Sequence, residues 1–130
     1  MENDHREMVQ TIVDDLQTRN FRAIAADALR EQGLAETDGY FQISSQRWYH
    51  PDIQARSGDR LFIYEVETEE TFDLPETRDK LEVLANAASK ANGRFFLVVP
   101  ERLQDSAHRL LTEMHIDWGE VWGISEWGKV

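Results

Sequence analysis

Residues 94–99, with the sequence RFFLVV, form a nearly continuous apolar run, and this run limits the possible folds more than any other stretch. Such a run is expected for a strand at the centre of a sheet that is covered on both faces. Pro100 follows directly and predicts the end of the strand. The chain must therefore supply helices for both faces of one sheet, which is typical of the α/β class.

The first helix is predicted near the N-terminus. Met8, Ile12 and Leu16 recur every four residues, and Asp4 with Glu7 fits a capping box. Two further helices are predicted on either side of the apolar run. The second combines a capping box at residues 73–76 with Pro75 in its first turn and an end at Asn92-Gly93. Its apolar face consists of Thr77, Leu81, Leu84, Ala85 and Ala88, and that of the third helix consists of Leu103, Ala107, Leu110, Leu111 and Met114.

Residues 21–32 fit two structures. Apolar residues between Phe21 and Leu29 match helical spacing, Asn20 is suited to begin a helix, and Gly33 is suited to end one. The alternative is a short strand, FRAIAAD, that leads into a loop. The spacing favours the helix, although short apolar runs fit either type of structure.

Several runs flanked by turn residues predict strands. Residues 40–45 follow a turn signal at 37–39, residues 50–68 form two apolar-rich runs around Ser57-Gly58-Asp59, and residues 120–124 form a last short strand. The middle pair predicts a β-hairpin. The order of elements predicts one α/β domain over residues 1–130, with a mixed central β-sheet flanked by helices on both sides.

The composition limits where this protein is expected to be located and what it is expected to bind. The chain has a formal net charge of -11 at pH 7 and no cysteine. It therefore has neither disulfides nor thiolate metal sites, and its charge opposes nucleic acid at long range. No segment approaches a membrane span, and the polar N-terminus does not resemble a secretory signal. We expect a cytoplasmic protein without a membrane partner.

Three carboxylates stand in the predicted hairpin. Asp52 opens its first strand, and Glu65 and Glu67 share one face of its second strand because side chains alternate along a strand. Pairing about the turn brings Asp52 roughly opposite residues 65–67. Like charges held so close repel one another unless protons or a metal ion compensate them. The hairpin is therefore the candidate site.

These motifs resemble the PD-(D/E)xK nuclease superfamily. Pro51-Asp52 and Glu65-Val66-Glu67 stand at its motif positions, and the apolar run LFIY precedes the glutamates as in that family. The stretches HPDI, YEVET, FFLVVP and VWGI are also similar to those of small prokaryotic proteins with a PD…EVET stretch. The resemblance covers about residues 48–124 and implies a restriction endonuclease-like αβββαβ core.

The resemblance implies metal-dependent hydrolysis of phosphodiester bonds. It makes Asp52 and Glu65 ligands of Mg²⁺ or Mn²⁺, with the Val66 carbonyl as a further ligand, and hard oxygen ligands suit these cations. Glu67 stands where the family has a lysine that orients or deprotonates water. A carboxylate can act as a base but cannot supply positive charge. Lys80, in the first turns of the next helix, is a candidate to supply it, although a lysine there is usually solvated.

Two functions from different classes follow. The first is a metal-dependent nuclease, favoured by the retained acidic residues. The second is a catalytically inactive domain of the same fold that serves as a binding or assembly module, favoured by the acidic charge and the missing motif lysine. A nuclease this acidic also needs a second protomer or a protein partner to present basic surface, so a homodimer is one expectation.

Two further groups are weaker candidates. Asp27 and Glu31 can match an acidic residue that some members of the superfamily contribute from the first helix. Trp118, Trp122 and Trp127 cluster near the C-terminus, but few cations accompany them. Core packing or an oligomer interface is therefore favoured over stacking on bases.

Overall fold

A computed structural model describes residues 2–125, which form a five-stranded mixed sheet between helices. The helices are α1 (Glu2–Thr18), α2 (Pro75–Lys90) and α3 (Gln104–Glu113), with short 3₁₀ helices at Asp27–Gln32 and Glu101–Leu103. The strands are β1 (Arg22–Ala25), β2 (Tyr40–Gln42), β3 (Arg47–Tyr49), β4 (Ile53–Ser57), β5 (Arg60–Val66), β6 (Arg94–Pro100) and β7 (Gly119–Ile124).

The sheet has the strand order β1-β4-β5-β6-β7. Its β1–β4 and β4–β5 pairs are antiparallel, whereas its β5–β6 and β6–β7 pairs are parallel. Strands β2 and β3 form a separate antiparallel pair. The predicted α/β class, the mixed sheet and the internal position of the RFFLVV strand are confirmed.

Two apolar cores lie on opposite faces of the sheet because successive side chains of β6 alternate between them. Phe95 and Leu97 pack with α2 and α3, whereas Phe96 and Val98 pack with α1. The predicted faces of the helices are largely confirmed. Met8, Ile12 and Leu16 are buried, as are all five residues predicted for α2 and, in α3, Ala107, Leu110 and Leu111.

The predicted helix over residues 21–32 is wrong. The chain leaves α1 through Asn20, which has a left-handed φ of 61°, and continues as β1, where Arg22 pairs with Arg56 of β4. A 3₁₀ helix at Asp27–Gln32 follows and ends at Gly33, which has a φ of 85°. The alternative, a strand that leads into a loop, was closer to the structure. Pairing with β4 provides the backbone hydrogen bonds that a helix would otherwise have provided.

The predicted capping boxes are also wrong. Helix α1 begins at Glu2, so Asp4 lies inside it, and the residue before α2 is Leu74, which provides no side-chain cap. Pro75 opens α2 as predicted, since a proline at the first helical position lacks only an N–H that would be unpaired there. The helix ends at Lys90, slightly before the predicted Asn92-Gly93.

The central β-hairpin is confirmed. Ser57 pairs with Arg60, which leaves Gly58 and Asp59 as the turn, and Gly58 has a φ of 63° that glycine adopts without strain. At the other end Ile53 pairs with Tyr64, and this register positions the candidate site.

No helix within residues 2–125 is both long enough and apolar enough to cross a membrane. The cytoplasmic location remains a prediction.

Phe96 is the centre of an aromatic cluster on the α1 face. Its ring stacks on Tyr64, with centroids 4.5 Å apart, and contacts Trp122 edge-on at 5.0 Å. Core packing of Trp122 is thus confirmed. Trp118 is 42 % exposed, and its Nε1 donates to the Ala85 carbonyl. Trp127 lies outside the described residues.

We expect Phe96→Ala to lower the free energy of unfolding by about 3–5 kcal/mol, because it removes a buried ring and leaves a cavity. Urea denaturation followed by circular dichroism measures this change. Phe41→Ala is a matched control, since Phe41 is 46 % exposed, and it should change stability by less than about 0.5 kcal/mol. An equally small effect at Phe96 would contradict its central position.

Candidate carboxylate site at the end of the hairpin

The hairpin register brings Asp52 and Glu65 together at the end of β5. Asp52 immediately precedes Ile53, which pairs with Tyr64, so Asp52 stands across from Glu65. The backbone amide of Val66 donates to Asp52 Oδ2 at 2.7 Å. The first strand of the hairpin is thereby tied to the second through an acidic side chain.

Helix α2 brings a cation to the same place. Lys80 Nζ lies 2.8 Å from Glu65 Oε2, with the Lys80 side chain 30 % exposed and that of Glu65 fully buried. Lys80 is therefore not an ordinary solvated helix residue. Its position follows from the apolar stripe of α2, because Thr77 and Leu84 lie one turn away on either side and are buried against the sheet.

Helix α1 contributes His5, which the sequence reasoning missed. His5 Nε2 lies 2.9 Å from Asp52 Oδ1. A signal for it was present, since Met8 and Val9 are buried and His5 precedes them at helical spacing. Extending the apolar stripe of α1 back by one turn would have placed His5 on the face that meets the sheet.

Glu67 completes the group on the same face of the hairpin strand. It is 4 % exposed, and its backbone amide donates to the Val98 carbonyl at 2.9 Å, which continues the parallel pairing beyond β5. The negative charge of Glu67 raises the pKa of both Glu65 and His5. Three carboxyl groups, a lysine and a histidine thus meet at one end of the sheet.

The environment shifts the pKa values of Asp52 and Glu65 in opposite directions. Burial, followed by the nearby charge of Asp52, raises the pKa of Glu65 well above its ordinary value. Burial also acts to raise the pKa of Asp52, but the hydrogen bond from His5 and the charge of Lys80 outweigh it and lower that pKa. Asp52 is therefore the ionised partner, and Glu65 is the group that takes up a proton more readily.

The pKa values of Lys80 and His5 are both raised. For Lys80, burial acts to lower the pKa, but the charges of Glu65 and Asp52 outweigh burial. For His5, the hydrogen bond to Asp52 is the largest cause of the raised pKa. Lys80 thus remains protonated at neutral pH and carries positive charge into the site.

Both carboxylate oxygens of Glu65 are buried, and Oε1 accepts no hydrogen bond within the part of the chain that the structure describes. Oε2 forms an ion pair with the Lys80 ammonium at 2.8 Å. Buried carboxylate oxygens are costly to leave unpaired. Glu65 is therefore suited to an additional cationic partner.

Within the described residues, no three His, Asp or Glu side chains are arranged to hold a metal ion. A site for Mg²⁺ does not require three, since this ion is commonly held by one or two carboxylates together with water and substrate oxygens. Asp52 and Glu65 fit that donor set, and the backbone of Val66 lies beside them. The residues present are compatible with a hard divalent cation.

The weaker candidates have other partners. Asp27 accepts hydrogen bonds from the backbone amide and the hydroxyl of Thr37, and Glu31 forms an ion pair with Arg6. Neither carboxylate is among the groups that shift the pKa values of the site. They stabilise the segment around the 3₁₀ helix.

The chain was compared with models of protein families, with curated proteins and with solved structures, and no match was found in any of the three comparisons.

We expect His5 to titrate above its ordinary pKa of 6.5, because Asp52 stabilises the imidazolium. A group whose pKa is raised on folding stabilises the protein fully below its unfolded pKa, and this contribution is lost as pH rises through the folded pKa. The stability advantage of wild type over His5→Gln should therefore be larger at pH 5.5 than above the folded pKa. NMR titration of the imidazole and urea unfolding at both pH values measure these effects.

Asp52→Asn serves as the control for that titration, since it keeps the size of the side chain and removes its charge. The pKa of His5 should move back toward 6.5 in this variant. A pKa of His5 that does not change in Asp52→Asn would contradict the contact.

We expect Lys80→Met to destabilise the protein by about 3 kcal/mol, because it leaves the buried Glu65 carboxylate without its counter-charge. Adding Glu65→Gln should recover most of this loss, since the amide is uncharged. Chemical denaturation of the single and double variants measures the coupling. Additive losses would mean that the ion pair does not stabilise the fold.

Proposed function

We propose that the carboxylate site hydrolyses phosphodiester bonds of nucleic acid with the help of Mg²⁺ or Mn²⁺, in a restriction endonuclease-like αβββαβ fold. The observation that carries the proposal is the buried Glu65 carboxyl, whose Oε1 accepts no hydrogen bond within residues 2–125 and whose Oε2 is paired with Lys80. Glu65 lies across from Asp52, and two carboxylates in this arrangement are a donor set that suits Mg²⁺. The mixed sheet with helices on both faces is compatible with such a core.

Each residue of the site has a role in this proposal. Asp52 and Glu65 would hold the metal, together with the Val66 carbonyl. When bound, the metal lowers the pKa of a water molecule and stabilises negative charge on the phosphate. His5 orients Asp52 through its 2.9 Å hydrogen bond.

In this proposal, Lys80 and Glu67 together take the two roles that a single lysine has in the superfamily. The raised pKa of Lys80 favours its protonated ammonium, which makes this side chain a source of positive charge beside the phosphate. Glu67 can accept a proton from the attacking water, because a carboxylate within hydrogen-bond reach can act as a general base. One cationic and one basic group thus replace a single side chain.

A second candidate function is a binding or assembly module that has no catalytic activity. The Lys80–Glu65 ion pair favours it, because this contact compensates part of the buried charge without a metal. Metal binding and cleavage distinguish the two functions.

We expect wild type to bind Mn²⁺ and Mg²⁺, and Asp52→Ala to bind them at least about tenfold more weakly. Isothermal titration calorimetry measures the affinities. Asp59→Ala is the matched control, since Asp59 is an exposed carboxylate in the turn at the other end of the hairpin, and its affinity should equal that of wild type. The absence of metal binding by wild type would refute the nuclease proposal.

A cleavage assay on labelled oligonucleotides then assigns the roles. Glu67→Gln should lower the rate constant for cleavage with little change in metal affinity, because it removes the base alone. Metal binding without cleavage would favour the second candidate.

A further inference from the structure

Exposed apolar side chains are concentrated on the β2–β3 hairpin. Within residues 2–125, five large apolar side chains are exposed, and three of them stand on this hairpin: Phe41 at 46 %, Ile43 at 83 % and Trp48 at 64 %. Phe41 and Trp48 are cross-strand partners with ring centroids 5.2 Å apart. Single exposed apolar residues need no explanation, whereas a group of them marks a site of interaction.

A groove runs between β2 and helix α2 beside these side chains. Its volume is about 570 Å³, and Phe41 and Ile43 line it on the hairpin side. Val83 and Ala87 line it on the helix side, and both are half-buried and pack against the core. The apolar core of the protein therefore reaches the surface along this groove.

Two side chains of opposite charge border the helix side of the groove. Glu82 and Lys90 are exposed and line it, with Asn86 between them. Lys90 forms no ion pair within residues 2–125, and Glu82 accepts a hydrogen bond from Gln42 at 3.4 Å. Glu82 and Lys90 are each four residues from Asn86, which is about 6 Å along the helix axis. Opposite charges are thus spaced equally about Asn86.

This spacing makes the groove complementary to a second copy of itself. A two-fold axis that lies in this face, perpendicular to α2 at Asn86, runs the helix antiparallel to its copy. Each Glu82 then stands opposite Lys90 of the second copy, and the apolar hairpin meets the hairpin of the second copy. An anionic partner would instead meet Glu82 in the groove, so the mixed charges favour a second copy over nucleic acid.

We propose that two copies of the chain form a dimer through this surface. We call it the hairpin–helix face and define it by the following residues: Phe41, Ile43, Glu82, Val83, Ala87 and Lys90. The inference goes beyond the proposed function, because Lys80 projects toward Glu65 from the other side of α2. The net charge of -11 on each copy opposes association at long range, but salt screens such repulsion beyond about 8 Å.

Sedimentation velocity over a range of protein concentrations, in buffer with EDTA, is the test. We expect wild type to form a dimer and Ile43→Asp to raise its dissociation constant at least about tenfold, because this substitution places a charge in an apolar contact. Ile43→Asp should keep its fold by circular dichroism, since so exposed a side chain contributes little to stability. Leu74→Asp is the matched control: Leu74 is 40 % exposed and lies outside the face, and the substitution changes the net charge equally. Its dissociation constant should equal that of wild type.

Exchange of the two charges tests how the helices meet. Glu82→Lys and Lys90→Glu should each weaken the dimer at least about tenfold, because like charges then face each other between copies. An equimolar mixture of these two variants should dimerise with an affinity close to that of wild type, since every pair between copies again has opposite signs. Recovery in the mixture requires that positions 82 and 90 of different copies face each other.

Three results would overturn the inference. If wild type stays monomeric at the highest concentration, a second copy does not occupy the face. If the dimer persists in Ile43→Asp, another surface forms it. If the mixture of Glu82→Lys and Lys90→Glu does not dimerise, the helices do not meet in the antiparallel arrangement. Metal binding by the carboxylate site is measured separately, so the dimer and the proposed function fail or succeed independently.

Discussion

The burial of the Glu65 carboxylate on a central strand is the constraint on which the arrangement of the helices depends. An ionised group in an apolar interior is costly, and it is tolerated only if opposite charge or a proton reaches it. Lys80 of α2 provides that charge directly at 2.8 Å, whereas His5 of α1 acts on the adjacent Asp52. The two helices on opposite faces of the sheet are therefore connected through one polar cluster at its end.

The two faces of the sheet contribute differently to this cluster. On the α1 face, Tyr64, Phe96 and Trp122 form a ring contact network that fixes β5 and β6 relative to each other. On the α2 face, the apolar side chains of β5 give way to Glu65 and then Glu67. Rigid aromatic packing on one side thus supports polar groups on the other, and such support holds reactive groups in a fixed geometry.

The sequence predicted features that depend on regular periodicity. The buried face of α2, the hairpin around Gly58 and the internal strand β6 follow from spacing alone. Residues 21–32 were wrongly predicted as a helix, because their structure depends on pairing between Arg22 and Arg56, which lie far apart in the chain. His5 was missed for a similar reason, since its partner Asp52 is 47 positions away. The predicted side-chain cap of α2 is absent, because Leu74 precedes the helix and supplies no hydrogen-bonding group.

The difference in chain separation between these contacts has a consequence for how the site assembles. Val66 and Asp52 are 14 positions apart and meet through one hairpin, whereas the His5 imidazole comes from α1, 47 positions before Asp52. Closing the longer loop costs more chain entropy. The carboxylates of Asp52 and Glu65 are therefore held by the sheet itself, while the raised pKa of His5 depends on the docking of the first turns of α1. The ionisation of this histidine reports whether the N-terminal helix is in place.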